Sequence, residues 1–307
     1  MRVAILDDYQ GVALQFADWS GLELTAFTDH VASDDALAER LAAYEAVVAM
    51  RERTPFTAAR LARLPQLRLL VTTGMANASI DLDAARRHGV TVCGTGGLAS
   101  PTAELTWGLI LALARRIPAE DAAVRAGGWQ HTIGPELAGR TLGVIGHGRL
   151  GSRVAAIGRA FEMRILTWSQ NLREAEGATV VSKDELLERS DVVSIHLRLS
   201  ERSRGLIGAP ELARMKPTAL LINTSRGPIV DEAALLQALR AGTIGGAGLD
   251  VYDTEPLPAG HPLRSAPNTV LTPHIGYVST GTYERFYADA AEDVRAFAAG
   301  APVRVLS

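Results

Sequence analysis

Residues 141–151 read Thr-Leu-Gly-Val-Ile-Gly-His-Gly-Arg-Leu-Gly. An apolar run stops at Gly146, and Gly146, Gly148 and Gly151 stand in G-x-G-x-x-G spacing before the helix-like stretch 152–161. A strand, a tight turn and a helix start, in that order, suit the binding of a phosphate. Glycine supplies the positive φ of the turn and bare backbone for the anion to approach, and the helix start offers N–H groups with no partner inside the helix. If a run of strand and helix units follows, the fingerprint marks the pyrophosphate site of a dinucleotide; otherwise it is a glycine-rich tight loop. Three later stretches set polar side chains beside glycine or proline: Asn223-Thr224-Ser225-Arg226-Gly227, Gly248-Leu249-Asp250-Val251 with Glu255-Pro256, and Thr272-Pro273-His274-Ile275-Gly276.

The units that the fingerprint requires are present. Apolar runs at 164–168, 192–197, 219–224, 247–252 and 269–271 predict strands. Between them, Ser182-Lys183-Asp184-Glu185 has the spacing of a capping box, and Asp231 opens a helical pattern that stops at Gly242. The same alternation precedes the fingerprint, with strands predicted at 3–6, 22–27, 46–50, 67–72 and 90–93 and helices at 35–43 and 58–64. Strands that alternate with helices specify parallel sheets covered on both faces. Around residues 94–101 the composition turns to glycine and small polar residues. There Ser100 is a predicted N-cap and Pro101 the first residue of a long apolar helix that reaches about Arg116. Residues 126–139 read as a loop in which Trp129 packs, and 280–299 as a helix that returns to the first domain. The expected fold is α/β with two doubly wound domains. A Rossmann dinucleotide-binding domain over 99–279 is inserted into a flavodoxin-like substrate domain made of 1–98 and 280–307.

Composition narrows the partners. The chain has 307 residues, 47% of them hydrophobic, and a formal net charge of −3. Without a dense run of Lys or Arg it does not read as a nucleic-acid or anionic-membrane binder, so small molecules are the expected partners. The apolar stretch 105–114 is too short to span a bilayer, and the N-terminus lacks the pattern of a signal peptide, so a cytoplasmic location is expected. Cys93 is the single cysteine, which excludes an intrachain disulfide and a thiolate metal cluster; no metal is expected.

Taken together, in order and over most of the chain, the four stretches resemble the D-isomer-specific 2-hydroxyacid dehydrogenases. The resemblance implies an oxidoreductase that moves a hydride between NAD(P)H and a 2-oxoacid or D-2-hydroxyacid, with Arg226, Glu255 and His274 as its catalytic set. The residue types fit. A guanidinium is a planar fork that can hold a carboxylate and a carbonyl oxygen together, and imidazole gives and takes protons near neutral pH. The resemblance also places Gly146, Gly148, Arg149, Leu150, Gly151, Thr224 and Asp250 at the cofactor, Asp250 near the nicotinamide carboxamide. It places the substrate carboxylate at Arg226 and at the backbone of Gly74, Met75 and Ala76, within Thr73-Gly74-Met75-Ala76-Asn77. It further suggests a homodimer, with the helix at 101–116 as the candidate interface. Taken one at a time, plainer readings stay open: a surface arginine, a solvated turn glutamate, a structural histidine, a strand-end aspartate that caps a turn. His196, at the end of a predicted strand, is read as structural.

One departure bears on the cofactor. NAD-preferring relatives commonly carry an acidic residue about 20 residues beyond the fingerprint, to bind the ribose hydroxyls. Residues 167–173 here read Thr-Trp-Ser-Gln-Asn-Leu-Arg, with no carboxylate. The expectation is that Ser169, Asn171 and Arg173 receive a 2′-phosphate, so that NADP is preferred, with NAD as the alternative. Two other functions are compatible with the resemblance: a formate- or phosphite-type dehydrogenase, and a corepressor-like protein that binds the dinucleotide as a sensor.

Overall fold

A computed structural model describes residues 1–306. The chain forms two compact units, one made of Met1–Leu98 and the segment that begins at Val278, the other of Ala99–Tyr277.

In the first unit the strands are β1 (Arg2–Ile5), β2 (Glu23–Ala26), β3 (Ala46–Ala49), β4 (Leu69–Thr72) and β5 (Thr91–Gly94). They form a parallel sheet in the order β2-β1-β3-β4-β5. All residues of β3 and β4 are buried, which explains their uninterrupted apolar runs: strands covered on both faces have no solvent side to alternate with. The edge strand β2 instead alternates exposed and half-buried positions. Helix starts follow side-chain caps. Ser33 accepts the Ala36 N–H before the helix Asp34–Leu41, Thr57 accepts the Arg60 N–H before Ala58–Leu61, and Asp81 accepts the Ala84 N–H before Leu82–Arg87. The last of these helices buries only the neighbouring Ala84 and Ala85, so it leaves no apolar stripe to read in the sequence.

The helix Thr280–Ala298 packs on β4. Behind it the chain runs along the edge of β5, where the Gly94 N–H donates to Arg304 O at 3.0 Å and the Leu306 N–H to Val92 O at 2.7 Å. Arg304 pins this segment to the helix. Its Nε and Nη2 donate to Asp293 Oδ1 at 3.1 and 3.0 Å, and Nη1 lies 2.7 Å from Glu292 Oε2.

In the second unit the strands are β6 (Thr141–Ile145), β7 (Arg164–Trp168), β8 (Thr179–Val180), β9 (Val192–Ile195), β10 (Leu220–Asn223), β11 (Gly246–Leu249) and β12 (Thr269–Leu271). They are parallel, in the order β12-β11-β10-β9-β6-β7-β8, so the chain reverses direction across the sheet between β6 and β9. Ligands of open α/β sheets bind at the carboxyl ends of the strands beside such a reversal. Two helix signals hold: Ser182 Oγ accepts the Glu185 N–H, and Asp231 Oδ1 accepts the Ala234 N–H before a helix that Gly242 closes at φ 68°.

The long helix is Ser100–Ala114. Ala99 stands at its N-cap and no side chain caps it, so Ser100 is its first residue rather than its cap. It packs on β10, β11, β12 and the helix Arg149–Ala160. Ala103, Thr106, Trp107, Leu109 and Ile110 are buried there, and Trp107 stacks on Phe161 with centroids 4.8 Å apart. Much of its apolar surface is covered by its own unit, while Leu105, Leu111 and Leu113 stay half-buried. A further helix, Ile117–Arg125, buries none of its residues, and Trp129 beyond it is 75% exposed rather than packed. No helix among the described residues is long and apolar enough to cross a membrane.

Asp293 gives this fold a pH signature. Its side chain is fully buried, and burial pushes its carboxyl up to about 7 against the pull of Arg304. A folded carboxyl that holds its proton more tightly than the unfolded chain stabilises at low pH, and that contribution is lost as pH rises from about 4 to about 7. Thermal unfolding measured across that window should show a falling contribution in the wild type that Asp293→Asn flattens. An unchanged slope in the variant would remove Asp293 as its source.

Candidate active site

The fingerprint glycines differ in what they permit. A Cβ on Gly151 would lie 2.0 Å from Gly146 O, so only glycine lets the helix Arg149–Ala160 start this close to the end of β6. Gly146 has φ 95°, and a Cβ there would approach His196 O to 2.6 Å. At Gly148 an added Cβ would meet nothing within 4 Å, so its bare backbone serves no packing inside the chain and leaves room for a ligand. No side chain caps the helix, and the N–H groups of Arg149, Leu150 and Gly151 have no acceptor among the described residues. Unpaired N–H groups at the positive end of a helix macrodipole suit a diphosphate. The residues present thus fit a dinucleotide at this turn.

Around the turn, His196 is half-buried, with Nε2 2.8 Å from Ser194 Oγ, and desolvation pushes the ring down to about 4. It is a neutral structural ring. Thr224 is buried with its hydroxyl 2.9 Å from that of Thr106, so that hydroxyl is already engaged within the chain. Beyond β7, Ser169 is half-buried and its carbonyl accepts the Leu172 N–H at 3.0 Å, while Asn171 and Arg173 are exposed.

His274 and Glu255 meet. Nδ1 of His274 lies 2.5 Å from Glu255 Oε2, and the other carboxylate oxygen accepts the Tyr252 N–H at 2.9 Å. Glu255 is thereby fixed from behind and holds the ring in the tautomer that carries its proton on Nδ1. No described residue bonds Nε2, the nitrogen that can exchange a proton with a ligand. Arg226, just past the end of β10, donates through Nη1 to its own neighbour Ser225 O at 2.6 Å, and its carbonyl accepts from Asn223 Nδ2 at 2.9 Å. Next to it, a Cβ on Gly227 would lie 2.1 Å from Tyr252 C, so glycine brings the backbone after Arg226 against the segment that leads to Glu255.

Asp250 holds the turn that carries His274. Its Oδ1 accepts the Thr272 hydroxyl at 2.6 Å and the Ile275 N–H at 2.8 Å, and Oδ2 accepts the Gly276 N–H at 2.8 Å. Burial pushes its carboxyl up from the ordinary value, opposed by the Thr272 hydroxyl and the Ile275 N–H. His274 itself has φ 54°, a left-handed conformation that costs a non-glycine residue of order 1 kcal/mol and persists only where its surroundings enforce it. Two more residues brace the turn. The Thr102 hydroxyl donates to Gly276 O at 2.9 Å, and the Tyr252 hydroxyl donates to Thr272 O at 2.9 Å. Sequence reading missed both; for Thr102 the only trace is a pair of threonines, 102 and 106, at helical spacing in a largely apolar helix.

In the first unit, the loop after β4 presents Met75 and Ala76, both exposed, whose N–H groups have no acceptor among the described residues. Gly74 is different, because its N–H already donates to Thr95 Oγ1 at 2.8 Å. Its expected part as a donor to substrate is corrected to that of a turn residue, with φ 99°. Among the described residues no group of His, Cys, Asp or Glu is arranged to hold a metal ion.

A family model for the NAD binding domain of the D-isomer specific 2-hydroxyacid dehydrogenases matches residues 107–276. The chain belongs to that family. Similar members include a glyoxylate reductase from Aeropyrum pernix, 46% identical over 78% of this chain and 76% of its own length. A glyoxylate reductase from Korarchaeum cryptofilum is 38% identical over 87% of this chain and 84% of its own. Among solved structures, a phosphoglycerate oxidoreductase from Vibrio cholerae superposes with a TM-score of 0.93 at 41% identity, covering 98% of this chain and all of the other (100%). The chain is an NAD(P)-dependent D-2-hydroxyacid dehydrogenase or 2-oxoacid reductase. Neither the formate- or phosphite-type reading nor the sensor reading is favoured by these relatives.

For this dehydrogenase the geometry at Asp250 makes a prediction. In Asp250→Asn an amide NH2 opposes either the Gly276 or the Ile275 N–H, so the His274 turn loosens. Loss of a charged hydrogen bond of this kind costs about 1.5–3 kcal/mol, so kcat should fall roughly 10- to 100-fold. The Kd for the reduced dinucleotide, read by fluorescence titration, should change little. If Kd rises while kcat holds, Asp250 acts on the cofactor instead.

Proposed function

We propose that the enzyme reduces a short, unphosphorylated 2-oxoacid of the size of glyoxylate or hydroxypyruvate, with NADPH as the preferred cofactor. The observation that carries the chemistry is the His274–Glu255 pair, which leaves Nε2 unbonded, so that the imidazolium gives its Nε2 proton to the C2 oxygen of the substrate and becomes the neutral ring protonated on Nδ1. When bound, the dinucleotide supplies the hydride. Residues 146–151 hold its diphosphate, the first-turn N–H groups of Arg149, Leu150 and Gly151 being the donors. In the second unit Arg226 is suited to hold the substrate carboxylate and polarise the C2 carbonyl, and in the first unit the Met75 and Ala76 N–H groups are donors suited to a carboxylate. Glu255 stabilises the charged imidazole and orients it, while Asp250, Thr102 and Tyr252 keep its turn in place. The nearness of the glyoxylate reductases supports the small substrate.

NADPH preference is supported by the absence of a carboxylate in residues 167–173, which leaves nothing there to repel a 2′-phosphate. Ser169, Asn171 and Arg173 are its proposed ligands. Initial rates with glyoxylate, hydroxypyruvate and 3-phosphohydroxypyruvate, each with NADPH and NADH, test both points together. The unphosphorylated substrates should be turned over, with kcat/KM about tenfold or more higher for NADPH. A preference for NADH would overturn the cofactor assignment, and one for the phosphorylated substrate would overturn the substrate assignment.

The enzyme is further proposed to be a homodimer, with an interface that includes the exposed stretch beyond the helix Ser100–Ala114. Ile117, Val124, Trp129 and Ile133 are exposed within one stretch, Ile133 to 96%, and an apolar run of this kind marks an association surface. Sedimentation should give a dimer for the wild type and a monomer for Trp129→Glu combined with Ile133→Glu. A dimer that survives both changes would place the interface elsewhere.

A further inference from the structure

Arg51 follows β3 in the left-handed region, at φ 51°, and three of its groups engage the loop after β4. Its N–H donates to Thr73 Oγ1 at 2.9 Å, Nη1 donates to Thr73 O at 2.9 Å, and its carbonyl accepts from Asn77 Nδ2 at 2.7 Å. Asn77 then closes the far end, its Oδ1 accepting the Ser79 N–H at 2.9 Å and the Ser79 hydroxyl at 2.6 Å. The guanidinium also covers Gly74, where an added Cβ would lie 1.9 Å from Arg51 Nη1. On the opposite side of the loop, the Thr95 hydroxyl takes the Gly74 N–H, and a Cβ on Gly94 would come within 2.8 Å of Gly74 O. The loop is thus gripped from both sides. Among the N–H groups of the loop that have no acceptor among the described residues are the consecutive ones of Met75 and Ala76.

We propose that Arg51 is a positioning residue for recognition of the substrate carboxylate: it fixes the Gly74-Met75-Ala76 backbone so that both N–H groups serve one anion. The inference rests on the reading of this loop as the carboxylate site. Neighbouring N–H groups bind one anion well only when their directions are held in advance, because a loop that must order on binding loses affinity to the cost of ordering. A planar guanidinium can bond Thr73 O, lie flat over Gly74 and carry charge at once. The ammonium of lysine is a point charge on a flexible stem and keeps only the charge.

The test is steady-state kinetics of Arg51→Lys, Arg51→Ala and Met75→Pro with glyoxylate and NADPH, each checked for folding by thermal unfolding. Arg51→Lys should raise the KM for glyoxylate about tenfold, as for loss of one charge-assisted hydrogen bond, with kcat within about threefold and the KM for NADPH unchanged. Arg51→Ala should raise it further, and added guanidinium chloride at millimolar levels should bring that KM part of the way back. A residue that only stabilised the fold would give no such split between the two KM values and no rescue. Where Arg51→Ala fails to fold, Arg51→Lys carries the test. Met75→Pro deletes one of the two N–H groups and separates the two levels of the claim. If it raises the KM for glyoxylate while the Arg51 variants do not, the positioning role is overturned and the loop assignment stands. If Met75→Pro leaves that KM unchanged, the loop is not the carboxylate site and both fall.

Discussion

The turn that carries His274 depends on one buried carboxylate. Asp250, at the end of β11, accepts from the Thr272 hydroxyl and from the N–H groups of Ile275 and Gly276, on both sides of a histidine held at φ 54°. Without those acceptors the N–H groups would be buried and unpaired, and the left-handed backbone would lack the enforcement it needs. The rest of the site follows from where this turn stands. β10, β11 and β12 are neighbours in a parallel sheet, so Arg226, Asp250 and His274 leave it at the same edge. Glu255 is delivered by the loop after β11, whose Tyr252 N–H fixes the carboxylate that bonds His274.

The same economy governs the glycine turn. Gly151 is glycine because Gly146 O stands where a side chain would begin, and Gly148 is glycine although nothing in the chain requires it. Packing explains the first and the approach of an anion explains the second. At the first unit's loop the order is reversed, for there a side chain, that of Arg51, fills the place that glycine leaves at position 74.

Much of this was legible in the sequence because it is local. The glycine spacing, the apolar runs of β3, β4 and β6, and the caps at Ser182 and Asp231 each depend on residues within one turn or one strand. What was not legible depends on distant partners. That the Gly74 N–H is spent on Thr95, that Thr102 reaches Gly276, and that the helix Ser100–Ala114 packs on β10, β11 and β12 are all contacts across the sequence. The helix Ile117–Arg125 went unseen for another reason: it buries nothing, so periodicity had no buried face to report. The resemblance carried the identities of Arg226, Glu255 and His274, and the fold supplied the reason they are held as they are.

The central claim is that Glu255 fixes the proton of neutral His274 on Nδ1 and leaves Nε2 to exchange a proton with the substrate. Nitrogen NMR of the 15N-histidine-labelled enzyme tests it most directly, with His274→Ala identifying the signals, at a pH where the ring is neutral. The account predicts a protonated Nδ1 and a bare Nε2. A neutral ring with its proton on Nε2 would contradict it.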